Sequence, residues 1–187
     1  MRKLHSEFER GEVFIGRGEN LESFMPVLRI DNAGEKLPTV ECSLQSVDYL
    51  QREVAPLLFE AHWAEVAQDK SWAPDANWPY YRALEAANML RIVILCVHGL
   101  PVGYFLFVVS ESLHYRTHKL ASSDMFYMLP QFRAQYAVRL FRAAEQYARE
   151  AGAGKLYIAF KIYKDITPLT KRLGFRHVED VVVKSLE

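Results

Sequence analysis

The stretch from Ser123 to Glu150, SDMFYMLPQFRAQYAVRLFRAAEQYARE, constrains the fold more than any other part of the chain. It opens as a strand. Asp124, Phe126 and Met128 alternate with Met125, Tyr127 and Leu129, and its aromatic residues suit a pleated surface. Strict alternation puts Asp124 and Met128 on the same face. Pro130 has no N–H to give to a ladder, so the strand ends there. The period then changes. Ala137, Leu140, Phe141, Ala144, Tyr147 and Ala148 form one stripe of an amphipathic helix, Glu145 and Arg149 are placed for an i,i+4 pair, and Gly152 and Gly154 close the helix. A strand running into a helix start, with arginines at the join, is a place where backbone N–H groups hold an anion. The alternative is an ordinary βα unit in which Arg133 and Arg139 are solvated surface charge.

The flanking chain builds a sheet around this junction. Thr39 to Leu44 is predicted as a first strand. From Val47 the apolar period is helical through Leu50, Val54, Leu57, Leu58 and Ala61, with Pro56 kinking or breaking the helix near residue 55. Pro79 suits the first turn of a second helix over Tyr80–Asn88. Met89–Val97 and Val102–Ser110 read as a hairpin around His98-Gly99-Leu100, with the near-continuous apolar runs of strands covered on both faces. Lys119–Leu129 leads into the junction. Leu156–Phe160 is a further strand, Thr167–Arg172 a short helix capped by Thr167, and Val178–Leu186 a last strand. The order β-α-α-β-β-β-α-β-α-β is that of a mixed α/β (α+β) sheet with helices on its faces. Residues 1–38, broken by Gly11, Gly16, Gly18, Pro26 and Gly34, read as an N-terminal extension, and residues 39–187 as the domain.

Composition excludes several classes. The chain has 187 residues, 50% hydrophobic and 25% charged, which is enough for one globular core. Its formal net charge is zero, so neither nucleic acid nor an anionic membrane is the expected partner. No apolar run is long enough to cross a bilayer. Cys42 and Cys96 lie far apart, no histidine or cysteine cluster has metal-ligand spacing, and a reduced, cytoplasmic protein without metal is expected.

The segment YMLPQFRAQYAVRLFRAAEQYA resembles the acyl-CoA-binding core of the GNAT N-acetyltransferases, a strand followed by V-x-P-x-x-R-G-x-G-x-G and a helix. Leu129-Pro130-Gln131-Phe132-Arg133 matches the first half, while Ala134, Tyr136 and Val138 stand where glycines are common. LTKRLGFRHVEDVVVKSL resembles the closing Y-E-K-L-G-F helix and last strand of that superfamily. HYRTHKLASSDMFYMLPQFR with APLLFEAHWAEV is similar to the subgroup often carried by tailed phages.

The resemblance implies a GNAT-like central sheet of about six to seven strands, and acetyl transfer from acetyl-CoA to an amine-bearing acceptor. That acceptor is a small molecule or a protein, a host protein included, and a homodimer is compatible with the fold. Residues Arg133, Ala134, Gln135, Tyr136, Ala137, Val138 and Arg139 would hold the pyrophosphate, and Met128 and Leu129 the pantetheine, with the Met128 amide on the oxyanion. Asp124 would be the base, against Glu60, His62 and His114 as rivals and against simple pairing with Arg116 or Lys119. The acid position falls on Thr170, a poor donor to a thiolate, with Tyr163 as its substitute. The other functional class is a GNAT-fold protein that modulates a host protein by contact, without turnover.

Overall fold

A computed structural model describes residues 39–67 and 72–186. The extension predicted at residues 1–38 lies outside the described residues. In chain order the elements are β1 (Val40–Leu44), α1 (Val47–Tyr49), a π-helical turn (Leu50–Val54), α2 (Ala55–Val66), α3 (Trp78–Ala86), β2 (Leu90–Val97), β3 (Leu100–Glu111), β4 (Lys119–Met128), α4 (Pro130–Glu150), β5 (Ala153–Tyr157) and α5 (Thr167–Arg172). The sheet order is β1-β2-β3-β4-β5. The first three pairings are antiparallel and β4–β5 is parallel. This is the mixed α+β architecture that the order of elements predicts, with five strands among the described residues rather than six to seven.

The missing strand is the last. Val178–Leu186 is expected to join the sheet, but among the described residues it joins no ladder, and Val181, Val182 and Val183 are 83%, 93% and 83% exposed. An extended segment becomes a strand only when a neighbour takes up its backbone groups, and a β-branched composition does not supply that neighbour. The strand before it is also displaced, to Ala153–Tyr157 from the predicted Leu156–Phe160. Gly152, at φ +83°, ends α4 and sets Ala153 opposite Lys119, so pairing starts immediately after the helix.

Pro56 is absorbed without breaking the helix. Its ring nitrogen has no proton for the carbonyl one turn back, and the preceding turn is widened, so that the Ala55 N–H reaches Leu50 O. Asn77 caps α3, its side chain accepting from the Tyr80 N–H. Thr167 is not a cap. Its own N–H donates to Asp165 Oδ1 at 2.8 Å, so the aspartate two residues earlier does the capping.

Two cores lie on the two faces of the sheet. On one face α4 packs Leu140, Phe141, Ala144 and Ala148 on Val93, Phe105, Phe107 and Met128. On the other, α1, the π turn and α2 pack Val47, Leu50, Val54 and Leu58 on Ile92, Ile94, Tyr104, Leu106 and Tyr127. The β2–β3 hairpin is buried on both faces, as its apolar runs predict.

Candidate active site

The fork between β4 and β5 is the opening in the sheet from which the site is built. Their parallel pairing runs from Lys119/Ala153 to Ser122/Tyr157 and stops, while β4 continues to Met128. At the point of parting the Ala159 N–H donates to Ser123 Oγ at 3.0 Å, a side chain standing in for the next ladder bond. The Leu129 N–H donates to Val102 O at 2.9 Å on the β3 side. Antiparallel alternation therefore turns the Met128 amide and carbonyl away from β3, into the fork. Gly103 seats this residue: a Cβ there would stand 3.1 Å from Met128 Cε and 3.1 Å from Tyr127 O. An open pocket of about 310 Å³ lies beside the fork, lined by Leu120, Ser122, Ser123, Tyr157, Ala159 and Glu179.

Strict alternation fails in β4. Met125 pairs with Leu106 and Ser123 with Phe107, so Asp124 is the extra residue of a β-bulge. Ala121, Phe126 and Met128 pack on the α4 side, whereas Met125 and Tyr127 pack on the α2 side. Asp124 goes with the second group. Its exposed carboxylate accepts from Tyr81 O–H at 3.2 Å, and Tyr81 packs on the α2-side core. The expectation that Asp124 shares a face with Met128 is thus corrected, because the bulge reverses the parity. Its partner is neither Arg116 nor Lys119, which pairs with Glu111 at 3.5 Å. The carboxylate is more exposed than a partly buried base would be.

Beneath Asp124 the α2 side carries polar groups inside an aromatic cluster. His62 Nδ1 and the Tyr104 hydroxyl share a hydrogen bond of 2.5 Å, and the His62 ring stacks on Tyr127 at 5.0 Å. Phe59 packs on Tyr104 at 5.5 Å and on Trp78 at 5.9 Å, and Trp78 packs on Tyr81 at 5.6 Å. Burial lowers the His62 pKa to about 4, despite the opposing pull of Glu65, so the ring is neutral at pH 7. Burial raises both Tyr104 and Tyr81, with Asp124 adding to each, so both phenols keep their protons. A neutral imidazole, protonated phenols and a carboxylate at the rim can accept and pass a proton. Glu60 and His114 are exposed and stand outside this cluster.

The residues of the expected pyrophosphate loop are placed differently from the expectation. α4 begins at Pro130 itself, so Ala134, Gln135, Tyr136, Ala137, Val138 and Arg139 are all helical. Amides past the first turn of an α-helix donate to carbonyls four residues back. The donors expected from Ala134 to Arg139 are therefore used within the helix, and the missing glycines are the reason: no residue here leaves the helical region to form a loop. Tyr136 points into the α4-side core and stacks on Phe132 at 6.2 Å. Arg139 Nη2 donates to the Val40 carbonyl of β1. Leu129 is the N-cap residue of α4 and is half-buried.

Arg133 sits at the mouth of the fork. Its Nε donates to Met128 O at 2.8 Å, its guanidinium lies 5.4 Å from the Tyr127 ring centre, and it forks onto Glu65 at 2.9 and 2.6 Å. Lys164 Nζ reaches the same carboxylate at 3.2 Å. Hydrogen bonds from Arg133, together with Lys164, hold the Glu65 pKa down at about 2 against partial burial. Half-exposed pairs of this kind contribute on the order of 1 kcal/mol. Tyr163 O–H donates to Val66 O at 2.6 Å, at the end of α2. The buried Thr170 hydroxyl donates back to Thr167 O at 3.2 Å, so its proton is already committed. Among the described residues no group of three or more metal-ligating side chains occurs, and no helix is long and apolar enough to cross a membrane.

Sequence reading missed Glu65, Lys164, Tyr81, Tyr104 and Gly103 as parts of the site. Only Gly103 carries a signal, being a glycine inside a strand where backbones approach closely.

No protein-family model matches the chain, and no curated protein does. Solved structures do. A ribosomal-protein-alanine N-acetyltransferase from Brucella melitensis biovar Abortus 2308 superposes with a TM-score of 0.60 at 19% identity, over 79% of this chain and 99% of that one. An aminoglycoside acetyltransferase from an uncultured soil metagenomic sample does so at 0.60 and 15%, over 79% and 95%. An aminoglycoside N-acetyltransferase in complex with CoA gives 0.59 and 17%, over 80% and 96%. At such identities the likeness is one of fold: the chain has the architecture of GNAT acetyltransferases.

Proposed function

We propose that this chain, built on the GNAT fold, transfers an acetyl group from acetyl-CoA to a primary amine on a small molecule or a protein. The observation that carries the reading is the fork, with the Met128 amide turned into it and Asp124 on the adjoining rim. Acetyl-CoA brings the thioester acyl group. Met128 holds its pantetheine arm at the free edge of β4, while Leu129 does not, its N–H being given to Val102 O and its carbonyl accepting from the Phe132 N–H; Arg133 with Lys164 meets its phosphates. Asp124, oriented by Tyr81, takes the proton of the amine as its nitrogen bonds to the carbonyl carbon. The Met128 N–H stabilises the oxyanion until the carbon–sulfur bond breaks. Water protonates the departing thiolate, or Tyr163 does so once its phenol has left Val66 O. Thr170 does not, its proton being committed to Thr167 O. The setting is the cytoplasm, that of the host if the chain is phage-borne.

The test is thermal. Acetyl-CoA at about 100 times its dissociation constant stabilises the folded protein by about 2.7 kcal/mol, and the melting point rises by roughly 5–10 °C for a chain of this size. No rise at millimolar acetyl-CoA would overturn the reading.

Two observations favour a second reading, in which the fold binds a host protein without turnover. α4 leaves no glycine loop for phosphates, and Glu65 already occupies Arg133. The extension expected at residues 1–38 would then carry the contact. Capture of a host protein that survives Arg133→Gln, with no acetylation by the wild type, supports this reading over the first.

A further inference from the structure

The last turn of α2 is held from both sides of the fork. From the β4 side, Arg133 grips Glu65 with both terminal nitrogens while its Nε stays on Met128 O. From the chain after β5, Lys164 adds a second cation to Glu65 Oε1, and Tyr163 donates to Val66 O. These contacts bridge the mouth of the fork. A guanidinium fork and an ammonium converging on one carboxylate form a cradle that a doubly charged anion fills better than a singly charged one.

We propose that Glu65 is a resident competitor for the phosphates of the acyl donor: its carboxylate occupies Arg133 and Lys164 until those phosphates displace it, and α2 is then released from the mouth of the fork. This rests on the acyl-donor reading above. Displacement has a consequence on the acceptor side, because His62 stands about one turn before Glu65 on the same helix. Movement of that turn shifts the imidazole against Tyr104 and Tyr127 and frees the Tyr163 phenol from Val66 O. A short acyl thioester without phosphates leaves Glu65 in place and is a poor donor.

The experiment is titration of CoA into the wild type and Glu65→Gln at low ionic strength, with hydrogen exchange followed over α2. The proposal expects Glu65→Gln to bind CoA about three- to tenfold more tightly. It also expects the amides of the last turn of α2 to exchange faster when the wild type is saturated with CoA. Wild-type binding with no gain in Glu65→Gln overturns the competitor role and leaves the donor reading standing. No binding by either protein overturns both. Glu65→Asp, whose carboxylate is drawn back from the cations, is the second variant and should also bind more tightly. If neither variant folds, hydrogen exchange on the wild type still decides: an α2 terminus unchanged or slowed by CoA overturns the proposal.

Discussion

The two faces of the sheet are built from different chemistry. On the α4 side the core is mainly hydrocarbon, Tyr136 apart, with Phe105 stacked on Phe126 at 5.3 Å and edge-on to Phe141 at 5.2 Å. On the α2 side the same strands present Tyr104 and Tyr127, and the helix brings His62. Both sides exclude water, but the second brings an imidazole and a phenol into hydrogen-bond contact. The difference teaches where each role resides: burial on the α4 side holds the sheet, and the α2 side spends part of its packing on groups that need partners. Among the described residues every buried side-chain polar atom has one.

Substitutions that separate the two faces test this division. The largest effect belongs to Asp124→Asn, which should lower acetyl transfer by about 10²–10⁴-fold and leave the denaturation midpoint within about 0.5 kcal/mol, since the side chain is exposed. A matching loss of stability would mean that Asp124 holds the bulge rather than the proton. Leu140→Ala, on the α4 side, should do the reverse, costing about 2–5 kcal/mol in urea unfolding. Its turnover per folded molecule should be preserved.

Gly103→Ala stands between the two. A methyl group 3.1 Å from Met128 Cε and Tyr127 O must displace β4, at a cost of roughly 1–3 kcal/mol. It should also reduce turnover, because the Met128 amide moves with its strand. Unchanged turnover would separate that amide from the chemistry. The smallest effect is one of pH. His62 has its pKa lowered to about 4 in the folded protein from an ordinary value of 6.5, so the unfolded chain binds the extra proton between those values. Its contribution is fully present above pH 6.5 and is lost as pH falls toward 4. Glu65, lowered to about 2 from 4.5, adds a second loss that begins only below pH 4.5. His62→Gln should flatten the stability profile between pH 6.5 and 4.5, read from melting points, and leave the steeper acid limb in place.

The hairpin and the amphipathic stripe of α4 were legible because each repeats a period over many residues. Leu140, Phe141, Ala144 and Ala148 are buried as the stripe predicts, and the Glu145–Arg149 pair forms at 3.8 Å. The bulge at Asp124 has no such signal. One extra residue in a strand changes the partner count and not the composition, and it moves the candidate base to the opposite face. The Glu65–Arg133 pair joins residues 68 apart, a separation at which local pattern says nothing. Thr170 shows a third limit. Alignment on Leu173-Gly174-Phe175 locates the position in the helix, but only the fold reveals that its hydroxyl turns back to Thr167 O.

The widened turn at Leu50–Val54 has a further consequence for how this chain tolerates change. A π turn holds one residue more than the α turn it replaces, so it takes up an extra residue locally and leaves the stretches on either side in phase. Removing a single residue there would close the turn to a regular spiral without turning the next stretch away, whereas adding one would rotate everything after it by about 100°. An insertion would swing Leu58, His62 and Glu65 off the sheet together, parting the imidazole from Tyr104 and the carboxylate from Arg133. The slack here is already spent, and a one-residue insertion between 50 and 54 should be far more damaging than any single exchange among the exposed positions there.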